Sequence, residues 1–260
     1  MTRLCLCIDD FGLHAGINAA AFNLVAQGRA HALACQVGGP AWEAGAAELR
    51  RAQGVDVGLH LDFTEHPLRE PARPLGRLIS LSLLRRFDAA ALQAEVAAQL
   101  DRFEAGMGRA PDFVDGHQHV HQLPQVREAL LAELQRCGPA RPWLRSTRRP
   151  RARRWQFKPW FIETLGAAEL ARQARQAGFP QNRALLGVYD FTPGRFAALL
   201  PEWLAAAQDG DLLMCHPSLS AAAPGDHILA ARQAEFEVLA GDGMPALLRG
   251  RGITLGRTPR

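Results

Sequence analysis

Short apolar runs separated by longer amphipathic stretches set the pattern of this chain. "LCLCI", Leu4 to Ile8, reads as a buried strand ending at Asp9-Asp10, and helical character follows over Gly16 to Gln27. "HALACQV", His31 to Val37, predicts a second strand, with a helix around Trp42 to Arg51 after it. "VDVGLHL", Val55 to Leu61, predicts a third. Asp88 has the position of an N-cap for a long helix, "AAALQAEVAAQLDRFEA", that stops near Gly106. "DFVDG" predicts a short fourth strand, Pro124 opens a helix ending near Gly138, and "PWLRS" predicts a fifth strand. Ala184 to Val188 is strand-like, and Thr192-Pro193 starts a helical stretch interrupted or restarted at Pro201. "DLLMCH", Asp211 to His216, predicts another strand, Ala230 to Leu239 a helix, and "ITL" a last short strand.

Near-continuous apolar strands alternating with helices imply a parallel sheet covered on both faces. The expected fold class is α/β, an irregular, TIM-barrel-like (β/α) barrel forming a single domain over residues 1–260. An open doubly wound sheet is the alternative, because pattern alone does not close a sheet. The 260 residues are 48% hydrophobic, enough for one sizeable core. A formal net charge of +4 is too mild to establish nucleic-acid binding. The five cysteines lie scattered in apolar settings, which reads as reduced thiols in a cytoplasmic protein. Cys5 and Cys7 fit two small side chains on one strand face. The N-terminal apolar run is too short for a secretory signal, and no run is long enough to predict a membrane span.

Polar residues fall at the strand ends. Asp9 and Asp10 follow "LCLCI", His60 follows "VDVGL", Asp115 and His117 follow "DFV", and His216 follows "DLLMC". In parallel α/β folds these C-terminal ends converge on one rim, where sites are built. "FVDGHQHVHQLP" puts His117, His119 and His121 at every second position, on one face if the strand continues. His14, His31, His66 and His227 lack this context and are assigned to surface or loop roles. Imidazole with carboxylate suits zinc, manganese, iron, cobalt or nickel better than calcium. Catalytic sites of this type keep three protein ligands and an open position. The surplus acid and histidines then serve as base and acid, which is the inventory of metal-assisted hydrolysis. A serine-hydrolase elbow and a glycine-rich phosphate loop are both missing from the sequence. Cys215 and His216, adjacent on a strand, are expected to point to opposite faces, which disfavours a nucleophile–base pair.

The stretches "DDFGLHAGIN", "GLHLDFTEHPL", "DFVDGHQHVHQLPQV" and "MCHPS" together resemble the YdjC/ChbG-like carbohydrate deacetylase family, which includes chitooligosaccharide deacetylases and a hopanoid-biosynthesis branch, HpnK. The motifs occur in family order and span nearly the whole chain. The resemblance implies an irregular (β/α) barrel, one divalent metal ion (Mg2+ or Zn2+), removal of an N-acetyl group from an amino sugar, and a homodimer. Carried over by motif, Asp10, His60 and His117 would bind the metal, Asp9 would be the general base, and His216 the acid that protonates the departing nitrogen. Asp115, His119, His121 and Arg145 would contact substrate or support the ligands. The chain has "CIDDFG" where the family often has "NADDFG", and "DGHQHVH" for "DSHHHVH"; neither change removes an expected ligand. The loop after "GLHL" and the middle of the chain match chitooligosaccharide enzymes weakly, which leaves the acetylated substrate open.

"RSTRRPRARRWQFK", Arg145 to Lys158, is the densest basic run and reads first as a solvated loop. Nucleic acid is disfavoured as a partner. A metal-dependent phosphoesterase or nuclease, and a non-catalytic sugar-binding barrel, stay open as rival functions.

Overall fold

A computed structural model describes residues 1–136, 141–150, 157–220 and 222–258. Cys137, the predicted helix end near Gly138, and Arg151 to Trp155 of the basic run lie outside the described residues. The first half runs β1 (Thr2–Phe11), α1 (Ala15–Ala26), β2 (Ala32–Cys35), α2 (Trp42–Leu49), β3 (Asp56–Leu61), α3 (Leu75–Leu83), α4 (Ala89–Met107), β4 (Phe113–Gly116) and α5 (Val126–Arg136). The second runs β5 (Trp143–Leu144), α6 (Phe157–Thr164), α7 (Ala167–Gln176), β6 (Leu185–Leu186), α8 (Arg195–Ala206), β7 (Asp211–Cys215), α9 (Leu229–Ala240), α10 (Gly243–Gly250) and β8 (Ile253–Leu255).

The strands are parallel and pair in the order β5-β4-β3-β2-β1-β7-β6, with β8 added beside the start of β1. Sequential strands therefore lie side by side around a curled sheet, as in a barrel. The two ends of the sheet meet through irregular backbone: the Leu144 N–H donates to Pro180 O at 2.8 Å, and the Leu185 N–H to Arg148 O at 2.8 Å. This is the irregular barrel expected from the strand–helix alternation, and not the open sheet. No helix among the described residues is long and apolar enough to cross a membrane.

Alternation sorts the side chains into two cores. Leu4, Leu6 and Ile8 of β1, with Leu33, Leu59 and Leu213, face the helices. Cys5, Cys7, Ala32, Ala34, Leu212 and Met214 face the barrel interior, against the stacked rings of Phe113 and Trp143 at 4.1 Å. Cys5, Cys7, Ala32, Ala34 and Gly58 are small where those rings fill the interior. A Cβ at Gly58 would sit 2.5 Å from the Phe113 ring. Each buried Leu or Ile contributes roughly 1.5–3 kcal/mol.

Elsewhere the sequence reading needs correction. Pro201 sits inside α8 and does not interrupt it, since burial of Phe196, Leu200, Trp203 and Leu204 on one face offsets the missing N–H bond. The helices α3, α6, α7 and α10 were not predicted. The cap at Asp88 is as predicted: its carboxylate accepts from the N–H groups of Ala90 and Ala91.

Candidate metal centre

Two local departures from regular structure build the site. Between Ile8 and Phe11 the pairing of β1 with β2 slips, so β1 carries one extra residue there. Asp10 takes a left-handed conformation (φ 65°) at this bulge. A regular strand would send Asp9 and Asp10 to opposite faces; here both carboxylates line the same cleft.

The second departure follows β4. The sequence pattern put His117, His119 and His121 along one strand face. Instead the chain turns through a helical kink over His117–Gln122, with Gln118 and His119 at φ 50° and 62°. Gly116 permits the turn, because a Cβ there would lie 2.8 Å from His121 N. His117 and His119 open into the cleft. His121 turns under it, its Nε2–H donating to the Arg145 carbonyl at 2.9 Å.

Asp10, His60 and His117 each present a ligand atom within 4.8 Å of the others. The facing atoms are Asp10 Oδ1, His117 Nδ1 at 2.9 Å, and His60 Nε2 at 3.4 Å. Their remaining polar atoms are all held. His60 Nδ1 meets Asp115 Oδ1 at 2.6 Å, His117 Nε2 meets Glu65 Oε1 at 3.2 Å, and Asp10 Oδ2 accepts from Arg232 Nη2 at 2.7 Å. Outer partners of this kind fix the tautomer and orientation of metal ligands. The residues fit a divalent cation: two nitrogens and a carboxylate oxygen converge, buried, with outer groups already placed.

A second group, Cys7, Asp9 and Asp115, also has metal-like spacing. It is filled by the fully buried Arg145 guanidinium, whose Nη1 donates to Asp9 Oδ2 at 2.6 Å and whose Nη2 lies 2.6 Å from Asp115 Oδ2. Arginine there supplies the cation that the carboxylates require.

Electrostatics follow from these contacts. Burial raises the carboxyls of Asp9 and Asp10, but Arg145 beside Asp9 and Arg232 beside Asp10 outweigh it and hold both well below the usual range. Burial works against charge on His60, but Asp115 and Asp10 push its value up to about 9. His117 is raised in the same way, against burial, by Asp10 and Glu65. The carboxylates of Asp10, Asp115 and Glu65 around His60 and His117 favour positive charge at this place, which a metal cation would supply.

His216, at the end of β7, stands beside this group. Its Nε2 is 3.8 Å from Asp9 Oδ2 and its Nδ1 4.0 Å from Glu235 Oε1. Burial lowers it to about 4, despite Asp10 and Asp9. Glu235 of α9 is fully buried; it accepts from the His216 N–H and from Tyr189 Oη at 2.6 Å. Burial raises Glu235 to about 7. All these groups open on, or lie directly behind, one cleft of about 1140 Å³.

A family model for YdjC-like proteins matches residues 3–250. The chain belongs to that family. It is 34% identical to a carbohydrate deacetylase of Mus musculus over 197 residues, covering 70% of this chain and 62% of the mouse protein. The chain thus spans less than two thirds of that relative's length. It is 28% identical to a chitooligosaccharide deacetylase of Serratia marcescens over 267 residues, 95% of this chain and 94% of the other. Among solved structures, an Enterococcus faecalis protein named for cellobiose-phosphate cleavage superposes with a TM-score of 0.70 at 18% identity, covering 98% and 97% of the two chains. That likeness concerns the fold.

In this YdjC-like chain the structure brings together Asp9, Asp10, His60, Asp115, His117, Arg145 and His216, with His119 on the cleft wall. His121 supports the Arg145 backbone and does not line the cleft. His14, His66 and His227 lie in loops, as expected, and those loops bring all three to the cleft wall. Sequence reasoning missed Glu65, Arg232 and Glu235. Glu65 lay inside the quoted stretch "GLHLDFTEHPL". Arg232 and Glu235, three apart on α9, fell inside the predicted helix Ala230 to Leu239, and nothing in the sequence distinguished them. Of the described basic run, Arg145 is buried in the site and Lys158 lines the cleft, while Arg149 pairs with Glu163.

Proposed function

We propose that this protein is a metal-dependent hydrolase that removes the acetyl group from an N-acetylated sugar or glycoconjugate, releasing acetate and a free amine. The observation that carries the reading is the convergence of Asp10, His60 and His117 in the cleft with Asp9 and His216 beside them. The names of the mouse and Serratia relatives support the substrate class.

A divalent ion, zinc or magnesium, held by Asp10, His60 and His117 would polarise the acetamide carbonyl and acidify water. Asp9 stays ionised because Arg145 grips it, so a proton acceptor is always ready for the attacking water. His216 is neutral at rest and lies 3.8 Å from Asp9, placed to gain a proton as the reaction proceeds and deliver it to the leaving nitrogen. Phe191 packs edge-on against the His216 ring at 5.0 Å and restricts its rotation. Asp115 serves as the link between His60 and Arg145, holding a ligand and the base's partner in one geometry.

Acetate release from a panel of N-acetylated sugars by the metal-loaded protein tests this. Wild type is expected to release acetate, His117→Ala to release none, and Asp9→Asn to lose roughly 100-fold or more in turnover while keeping its metal. Metal-loaded wild type that releases no acetate from any panel member would overturn the reading. Full turnover in Asp9→Asn would remove Asp9 as the base.

A further inference from the structure

Arg232 has no part in the acid–base scheme, yet it sits against the candidate metal ligand. It is 3% exposed, and its Nη2 donates to Asp10 Oδ2 at 2.7 Å. Its Nε lies 2.8 Å from Asp226 Oδ2, and Asp226 meets His14 Nε2 at 3.2 Å. The guanidinium is therefore braced from behind and not free to swing away. Asp10 is divided between two demands: Oδ1 faces His117 and His60, and Oδ2 belongs to Arg232.

Two physical consequences follow. A fixed positive charge in contact with a ligand carboxylate opposes a divalent cation bound to that carboxylate, and burial leaves little water to screen it. A carboxylate with one oxygen engaged offers its metal the other alone, which keeps a coordination position open. We infer that Arg232 is a positioning residue that holds Asp10 as a one-oxygen ligand and weakens the metal site, at the expense of affinity. The ion would then keep more of its positive character for the substrate carbonyl. This inference rests on the metal-site reading above.

Its sign separates it from a structural role. A residue that merely packed α9 against β1 would, when removed, loosen Asp10 and weaken metal binding. The inference requires the reverse. The test is isothermal titration of metal-free protein with Zn2+ alone and Mg2+ alone, at fixed ionic strength. Arg232→Gln, which keeps a donor but loses the charge, and Arg232→Met should each bind metal about tenfold more tightly than wild type, the scale expected for one buried charge removed from a ligand. Arg232→Lys, which keeps the charge, should stay close to wild type. If Arg232→Met fails to fold, Arg232→Gln and Arg232→Lys still give the comparison. Neutral variants that bind metal no more tightly than wild type would overturn the inference while leaving the metal site standing. Wild type that binds neither ion would overturn both.

Discussion

Glu235 shows how much a single buried group can shape the site. Its carboxyl lies behind His216, taking hydrogen bonds from Tyr189 and from the His216 backbone, and burial raises it to about 7 from an ordinary 4.5. The folded chain thus holds this proton more tightly than the unfolded chain. The associated stability is complete below pH 4.5 and is lost as pH rises through about 7. Glu235→Gln has no proton to lose and keeps one acceptor and one donor for the same two neighbours. Relative to the variant, wild type should lose up to about 3 kcal/mol between pH 4.5 and pH 8. Urea unfolding of both proteins at the two pH values measures this. An equal gap between them at both would refute the assignment.

At the scale of elements, irregular pieces deliver the chemistry. The bulge in β1 turns Asp9 and Asp10 to one side, and the kink after β4 separates His117 from His121. The loop after β3 is a third case. Asp62 accepts from the backbone N–H groups of Thr64, Glu65 and His66, and Gln99 of α4 holds Asp62 through its N–H and carbonyl. Glu95, fully buried on α4, accepts from the N–H groups of Leu68, Arg69 and Glu70. This anchoring presents Glu65 to His117. Glu95→Ala takes the acceptor away from these three backbone donors and from the Gln99 amide, and should cost about 2–4 kcal/mol. Limited proteolysis should then cut within residues 62–70 sooner than in wild type. Unchanged stability and an unchanged cleavage pattern would show that the loop is held by other contacts.

For the molecule as a whole, the barrel separates stability from function along its axis. Phe113, Trp143 and the small residues of β1 and β2 fill the interior, and charged groups crowd the C-terminal rim. The rim carries excess carboxylate, matched in part by Arg145 and Arg232. An ion that binds the folded chain and not the unfolded one should raise stability by about 2.7 kcal/mol at one hundred times its dissociation constant. Thermal melts of chelator-treated protein with increasing Zn2+ should shift upward, and His60→Ala should abolish the shift. A melting temperature indifferent to metal would contradict a site that binds the folded state.

The apolar runs and their helical spacers were enough to indicate a parallel sheet covered by helices, because period and burial are local properties of the chain. Closure into a barrel was not legible there, since it depends on contacts such as Leu144 to Pro180 between distant segments. The strand-end positions of Asp9, Asp10, His60, Asp115, His117 and His216 were legible too, since parallel connection brings those ends to one rim. What the sequence left open depended on contacts between distant segments. No local pattern says that Arg145 fills the carboxylates of Asp9 and Asp115, or that Arg232 and Glu235 turn inward from α9. The alternating histidines even suggested the wrong local geometry, because the chain leaves the strand directly after Gly116. Buried charges are tolerated only where partners from other elements meet them, and the tertiary structure alone determines which partners those are.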